Sequence, residues 1–142
     1  MYRTIVLAYD GSQAGRDALK QGAELARLCG AKVYLLAVLA TDLGVLLAES
    51  AGGSVMTDRI QTDVEEALAE GAELRREAGL DVETRLGIGK PAEEIGRVAR
   101  EVGANLIVVG HREQSTLARW WSGSTGASLL GVAPCSLLVA VA

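Results

Sequence analysis

The chain reads as an α/β protein built on a single open parallel sheet. Three observations predict this. Strand-like and helix-like segments alternate along the 142 residues. Most of the strand-like runs are apolar at nearly every position, as strands covered on both faces are. Turn, stop and helix-start residues fall between the segments, at the spacing of βαβ units.

Thr4-Ile5-Val6-Leu7-Ala8 is the first strand, ending in the turn Tyr9-Asp10-Gly11-Ser12. Ala14, Ala18, Leu19, Gly22, Leu25, Ala26 and Cys29 recur at helical spacing, and Gly30 is a stop signal. Lys32–Leu39 is a second buried strand, and residues 40–55 read as a crossover loop. From Thr57 a second helix carries the stripe Ile60, Val64, Ala67, Leu68, Gly71, Leu74 and Ala78. Asp81–Leu86 alternates with period two, which suits an edge strand with one wet face. Gly87-Ile88-Gly89-Lys90 reads as a turn, without the full Gly-x4-Gly-Lys-Ser/Thr spacing of a phosphate loop. Pro91 then opens a third helix, with Glu93 and Glu94 in its first turn and Ile95, Val98, Ala99 and Val102 as its apolar stripe. Asn105–Val109 is strand four, stopping at Gly110. A short helix near Gly126–Val132 and a last strand around Ser136–Val141 complete βαβαβαβαβ. Such an order implies parallel pairing with right-handed crossovers, helices on both faces, and one domain over 1–142.

Composition narrows the function classes. There is no long unbroken apolar run, which argues against a membrane span. The N-terminus has no signal-peptide layout, so the expected compartment is the cytoplasm. Net charge is −4 with no cluster of Lys and Arg, which argues against nucleic acid as a partner. Cys29 and Cys135 are not a CxxC pair and read as two buried, reduced thiols. A single histidine, His111, excludes a multi-histidine metal site.

The chemistry concentrates near the C-terminus. The apolar run Leu106–Val109 ends at Gly110, and Gly123-Ser124-Thr125-Gly126 opens the last helix. A buried strand, a glycine turn and a glycine–Ser/Thr turn at a helix start form a phosphate-binding layout. Glycine permits close backbone approach, and free N–H groups point at the anion. Open parallel sheets bind ligands beyond the strands' carboxyl ends, where strand order reverses. If strands one and four are neighbours, Asp10 and Gly110 flank that crevice.

These segments together resemble the universal stress protein family over almost the whole chain. The resemblance runs through Ile5–Ser12, Gly89–Ile95, Gly103–Gly110 and Ala133–Val139 in order. It implies strand order 3-2-1-4-5, in a Rossmann-like sheet of the adenine nucleotide alpha hydrolase-like type. It also implies a homodimer in which the last strands meet through Leu137, Leu138 and Val139. The nucleotide-binding branch carries Gly, two residues, Gly, nine residues, Gly, then Ser or Thr. Gly110, Gly123 and Ser124 match, and Glu113 stands at the middle glycine. Glutamate disfavours positive φ there. A carboxylate at about 4 Å from a phosphate is repelled by roughly 1–4 kcal/mol, which Mg²⁺ or Arg112 would offset.

By this resemblance the nucleotide contacts are Ala8, Tyr9, Asp10, Val38, Val109, Gly110, Arg112, Glu113, Gly123, Ser124 and Thr125. The ligand is ATP or AMP, with Mg²⁺ reached through Asp10 and the phosphates. Each residue also has a plain structural role. Asp10 suits an Asx turn, Val38 a strand-end core position, Arg112 a solvated loop, and Ser124 and Thr125 an N-cap. Trp120 and Trp121 fit a core or dimer surface better than a stacking platform. The expected function is a regulatory adenine-nucleotide-binding protein of the stress response. The alternative is a member that has lost the nucleotide through Glu113 and works by protein contacts alone. No nucleophile–His–acid set or paired carboxylates are in view, so no catalytic residue is assigned and enzymatic turnover is not expected. A phospho-receiver would need clustered acids after strand one, and an adenylating synthetase-like domain a longer Ser-Gly-Gly-x-Asp-Ser turn. Asp10-Gly11-Ser12 offers neither.

Overall fold

The structure, a computed structural model, describes residues 1–9, 13–40, 54–111 and 129–141. The elements are β1 (Thr4–Tyr9), α1 (Gln13–Cys29), β2 (Lys32–Ala40), α2 (Ser54–Glu77), β3 (Asp81–Gly89), α3 (Pro91–Val102), β4 (Leu106–His111), α4 (Leu129–Val132) and β5 (Ser136–Val141). The five strands form one parallel sheet in the order β3-β2-β1-β4-β5. Helices cover both faces, as expected.

Side chains alternate across this sheet and build two cores. Ile5, Leu7, Tyr9, Val33, Leu35 and Val108 pack with Leu19, Ala26, Leu68 and Ala72 of α1 and α2. Val6, Ala8, Leu36, Ile107 and Val109 pack with Ile95, Val98 and Ala99 of α3 and with Leu129 of α4. Both faces of β1 are therefore dry, which is why its sequence is apolar without alternation. β3 lies at an edge, and apart from Ile88 its exposed side chains are polar. Lys32 Nζ donates to Glu83 Oε1 at 3.0 Å, and Lys32 and Arg85 both stand over the Tyr34 ring. That pairing holds the Glu83 carboxyl below the usual range and the Lys32 ammonium above it.

The helix stops follow glycine chemistry. Gly103 has φ 67°, and Ala104 N donates to Ala99 O at 2.8 Å, closing α3. Gly30 and Gly79 end α1 and α2 in the same left-handed way. Asn105 then joins two strands. Its Oδ1 accepts from Arg3 N at 3.1 Å and Thr4 N at 3.2 Å, and its own N donates to Thr4 O at 3.0 Å. Asn105→Ala should cost about 1 kcal/mol in urea denaturation, because two N–H groups lose their acceptor at a half-wet site. Asn105→Asp, which keeps the acceptor, should cost clearly less.

Three boundaries and one helix face differ from the sequence reading. Gly87-Ile88-Gly89 is not a turn but the end of β3, paired with Val38, Leu39 and Ala40. β4 does not stop at Gly110; it starts at Leu106 and continues beside β5 to His111. Ala40 closes β2, and α2 starts at Ser54, so the crossover is shorter than 40–55; residues 41–53 lie outside the described residues. On α2 the sheet contact centres on Leu68 and Ala72, while Leu74 is 55% exposed and Ala78 lies beyond the helix. At 100° per residue Leu74 falls about 140° from the midpoint of Leu68 and Ala72, outside the buried face. The two cysteines are free, on opposite faces of the sheet, and half-buried instead of buried. Cys29 ends a helix and Cys135 precedes an edge strand, so neither is enclosed; partial burial still pushes the Cys135 thiol up.

Candidate nucleotide site at the strand ends

The order β3-β2-β1-β4-β5 makes β1 and β4 the place where the winding reverses. From β1 the chain builds outward through β2 to β3; from β4 it builds the other way to β5. Crossover helices leave opposite faces there, so a crevice opens beyond the carboxyl ends of β1 and β4. Ala8 and Val109 are register partners at this point, and Tyr9 pairs with Ala37 of β2. Gly110 follows Val109 and pairs with Ala140. The adjacency of strands one and four, which periodicity alone left open, is therefore present.

The described residues divide by face. Ala8, 2% exposed, and Val109, fully buried, point to the α3 and α4 side. They give a small, apolar floor. Tyr9 points the other way, into the core beneath α1 and α2. Its side chain belongs to packing, which leaves its main chain for the crevice. Val38 is half-buried on the α3 side and is the register partner of Gly87. Gly110 is buried, with no side chain to block approach. Asp10, Arg112, Glu113, Gly123, Ser124 and Thr125 lie outside the described residues, as do Trp120 and Trp121. Mg²⁺ held through Asp10 therefore has no geometry here. Among the described residues no cluster of three or more His, Cys, Asp or Glu could hold a metal.

Glu94 is the one nearby group that the sequence reading did not place. Its side chain lies over Gly87 and Gly89. A Cβ on Gly87 would stand 3.1 Å from Glu94 Oε2 and 3.5 Å from Val38 Cγ2, and one on Gly89 would stand 3.1 Å from Glu94 Cγ. Arg97 fixes the carboxylate with bonds of 2.7 and 3.1 Å to Oε2. Gly87 and Gly89, two apart and therefore on one strand face, were the available signal: something large had to fill that space. The arrangement supplies an apolar floor, backbone groups at two strand ends and a fixed carboxylate beside Val38. Among the described residues it offers no nucleophile–base pair.

The family model for the universal stress protein family matches residues 1–140. The chain belongs to the universal stress protein family. A universal stress protein of Methanocaldococcus jannaschii is 29% identical over 139 residues, covering 98% of this chain and 82% of the other. A crystal structure of a universal stress protein in complex with cAMP is similar at 25% identity and TM-score 0.72, over 99% of this chain and 97% of that one. The universal stress protein of Archaeoglobus fulgidus in complex with dAMP is similar at 25% identity and TM-score 0.71, over 98% of each chain. These two similar proteins hold cAMP and dAMP respectively. No helix among the described residues of this chain is long and apolar enough to cross a membrane.

Proposed function

We propose that this universal stress protein binds an adenine nucleotide, ATP or AMP, at the β1/β4 crevice and acts as a regulator, not an enzyme. The observation that carries the reading is the juxtaposition of Ala8–Tyr9 with Val109–Gly110 at the reversal point of the sheet. The cAMP and dAMP complexes of similar proteins support the ligand class. In this reading Val38 borders the adenine and Gly110 lets the backbone approach the phosphates. Gly123, Ser124 and Thr125 complete the anion site, and Asp10 carries Mg²⁺ or the ribose. The protein is cytoplasmic and works as a homodimer. β5 supports the last point: it is an edge strand, and Val139 is 37% exposed on it. An apolar edge of this kind needs cover, and Leu137, Leu138 and Val139 of two copies would give it.

The test is calorimetric titration of the nucleotide-stripped protein with ATP and Mg²⁺, and with AMP. Saturable binding in the micromolar range is expected, and Gly110→Val should abolish it by filling the approach to the phosphates. No heat at two temperatures would sink the reading. The second reading, a member without nucleotide that acts by protein contacts, is favoured by Glu113 alone. It predicts that the wild type is silent and that Glu113→Gly gains binding.

A further inference from the structure

A groove of about 520 Å³ lies between α1 and α2, lined by none of the residues assigned to the crevice. It includes Arg27, Ala78 and Leu80, which precede the starts of β2 and β3, so it opens toward the opposite end of the sheet from the strand carboxyl ends. Its size falls within the range of pockets that enclose small molecules. Ala23, Leu74 and Leu80 give it apolar walls, and Gly71 removes a side chain from its middle. The 55% exposure of Leu74 is therefore not an isolated surface leucine; it is one wall of this groove.

One polar group in the wall is unsatisfied. Arg75 Nη1 donates to Gly71 O at 2.9 Å. Arg75 Nε is shielded from solvent and has no hydrogen-bond partner among the described residues. Burial pushes the guanidinium below its usual range, and among the described residues the opposing influence comes from Tyr9, not from a carboxylate. The groove-facing atoms of such a guanidinium are short of an anion, and guanidinium suits carboxylate and phosphate head groups alike. The remaining charged lining residues are Lys20 and Arg27 against Glu24 and Glu70, which cancel formally. The groove therefore carries the single positive charge of Arg75, which neutralises a monoanion and leaves a dianion with one uncompensated charge to desolvate.

We propose that this groove is a second binding site, for a small amphiphile with one carboxylate head and an apolar tail. The tail lies along Ala23, Leu74 and Leu80, and the carboxylate accepts from Arg75. The site stands on different residues from the nucleotide crevice and does not depend on that reading.

The experiment is calorimetric titration of the full chain with decanoate below its micellar concentration, with decanol and decyl phosphate in parallel. Decanoate should bind once per chain. Decanol should bind at least tenfold more weakly, and dianionic decyl phosphate should not exceed decanoate. Arg75→Gln should weaken decanoate at least tenfold, with partial recovery in Arg75→Lys. Leu74→Trp, at an exposed position, should fill the groove and abolish binding while the thermal midpoint stays within a few degrees. Equal binding of decanol, tighter binding of decyl phosphate, displacement of decanoate by Mg²⁺-ATP, or no decanoate binding would each overturn the proposal. So would unaltered affinity in folded Arg75→Gln or Leu74→Trp protein.

Discussion

Gly22→Val should destabilise the protein by about 2–3 kcal/mol, and the midpoint of urea denaturation should fall accordingly. Gly22 lies in α1 where the helix backbone comes closest to the sheet. A Cβ there would stand 2.8 Å from Leu7 Cδ2, 2.8 Å from Val108 Cγ1 and 3.2 Å from Val108 Cβ. Real Cβ atoms do not approach other carbons so closely, so something must move. Leu7 and Val108 are both fully buried, on the adjacent strands β1 and β4, and have no free space to retreat into. Overpacking of this kind typically costs about 1–3 kcal/mol. Valine is a better helix former than glycine by a few tenths of a kcal/mol, which offsets only a small part. The strain also has a direction. It lifts α1 from the two strands whose ends form the crevice, so nucleotide affinity should fall together with stability. An unchanged midpoint would mean that α1 does not sit this close to β1 and β4.

That glycine also shows how far the sequence can be read. Gly22 falls in the helical stripe with Leu19 and Ala26, so the face it lies on was legible. Its reason, a backbone-to-sheet approach, depends on which strands lie beneath and was not. The same division holds elsewhere. β1, β2 and β4 are readable because strands buried on two faces need apolar residues at nearly every position. The place of β1 beside β4 was not contained in that pattern, because pairing is a tertiary choice; it came only with the family resemblance. β3 was cut short because Gly-Ile-Gly looks like a turn, yet here the glycines make room for Glu94 in a strand that continues to pair with β2. Leu74 falls in the apolar stripe because the stripe counts apolar residues and is blind to how the helix is rotated on the sheet. Ala8, Val109 and Gly110 stand at the reversal point of the sheet. Tyr9 differs in kind: period-two alternation sends its side chain to the other face, so only its backbone can take part. Glu94 escaped notice because it acts from a helix whose first-turn carboxylates already had a simple explanation in the helix dipole.

Ile95→Ala should be the most damaging single truncation near the site, at about 3 kcal/mol. Ile95 is fully buried in the core cluster that holds Val6, Ala8, Leu36 and Val109. Removing its outer carbons leaves a cavity among strands that hydrogen bonds hold in register, and such sites collapse poorly; isoleucine-to-alanine losses run about 2–5 kcal/mol. The substitution also separates two ways in which α3 could serve the crevice. If α3 only stabilises the fold, the folded fraction of Ile95→Ala still binds. Mg²⁺-ATP at about one hundred times its Kd should then raise stability by about 2.7 kcal/mol, as in the wild type. If α3 also positions Glu94 beside Val38, the cavity loosens that carboxylate and the nucleotide-linked gain should be smaller in the variant. Urea denaturation of both proteins, with and without nucleotide, reads the two quantities separately. An equal gain would confine α3 to a structural role. A reduced gain, with Glu94→Gln reproducing it at nearly full stability, would make Glu94 part of nucleotide recognition.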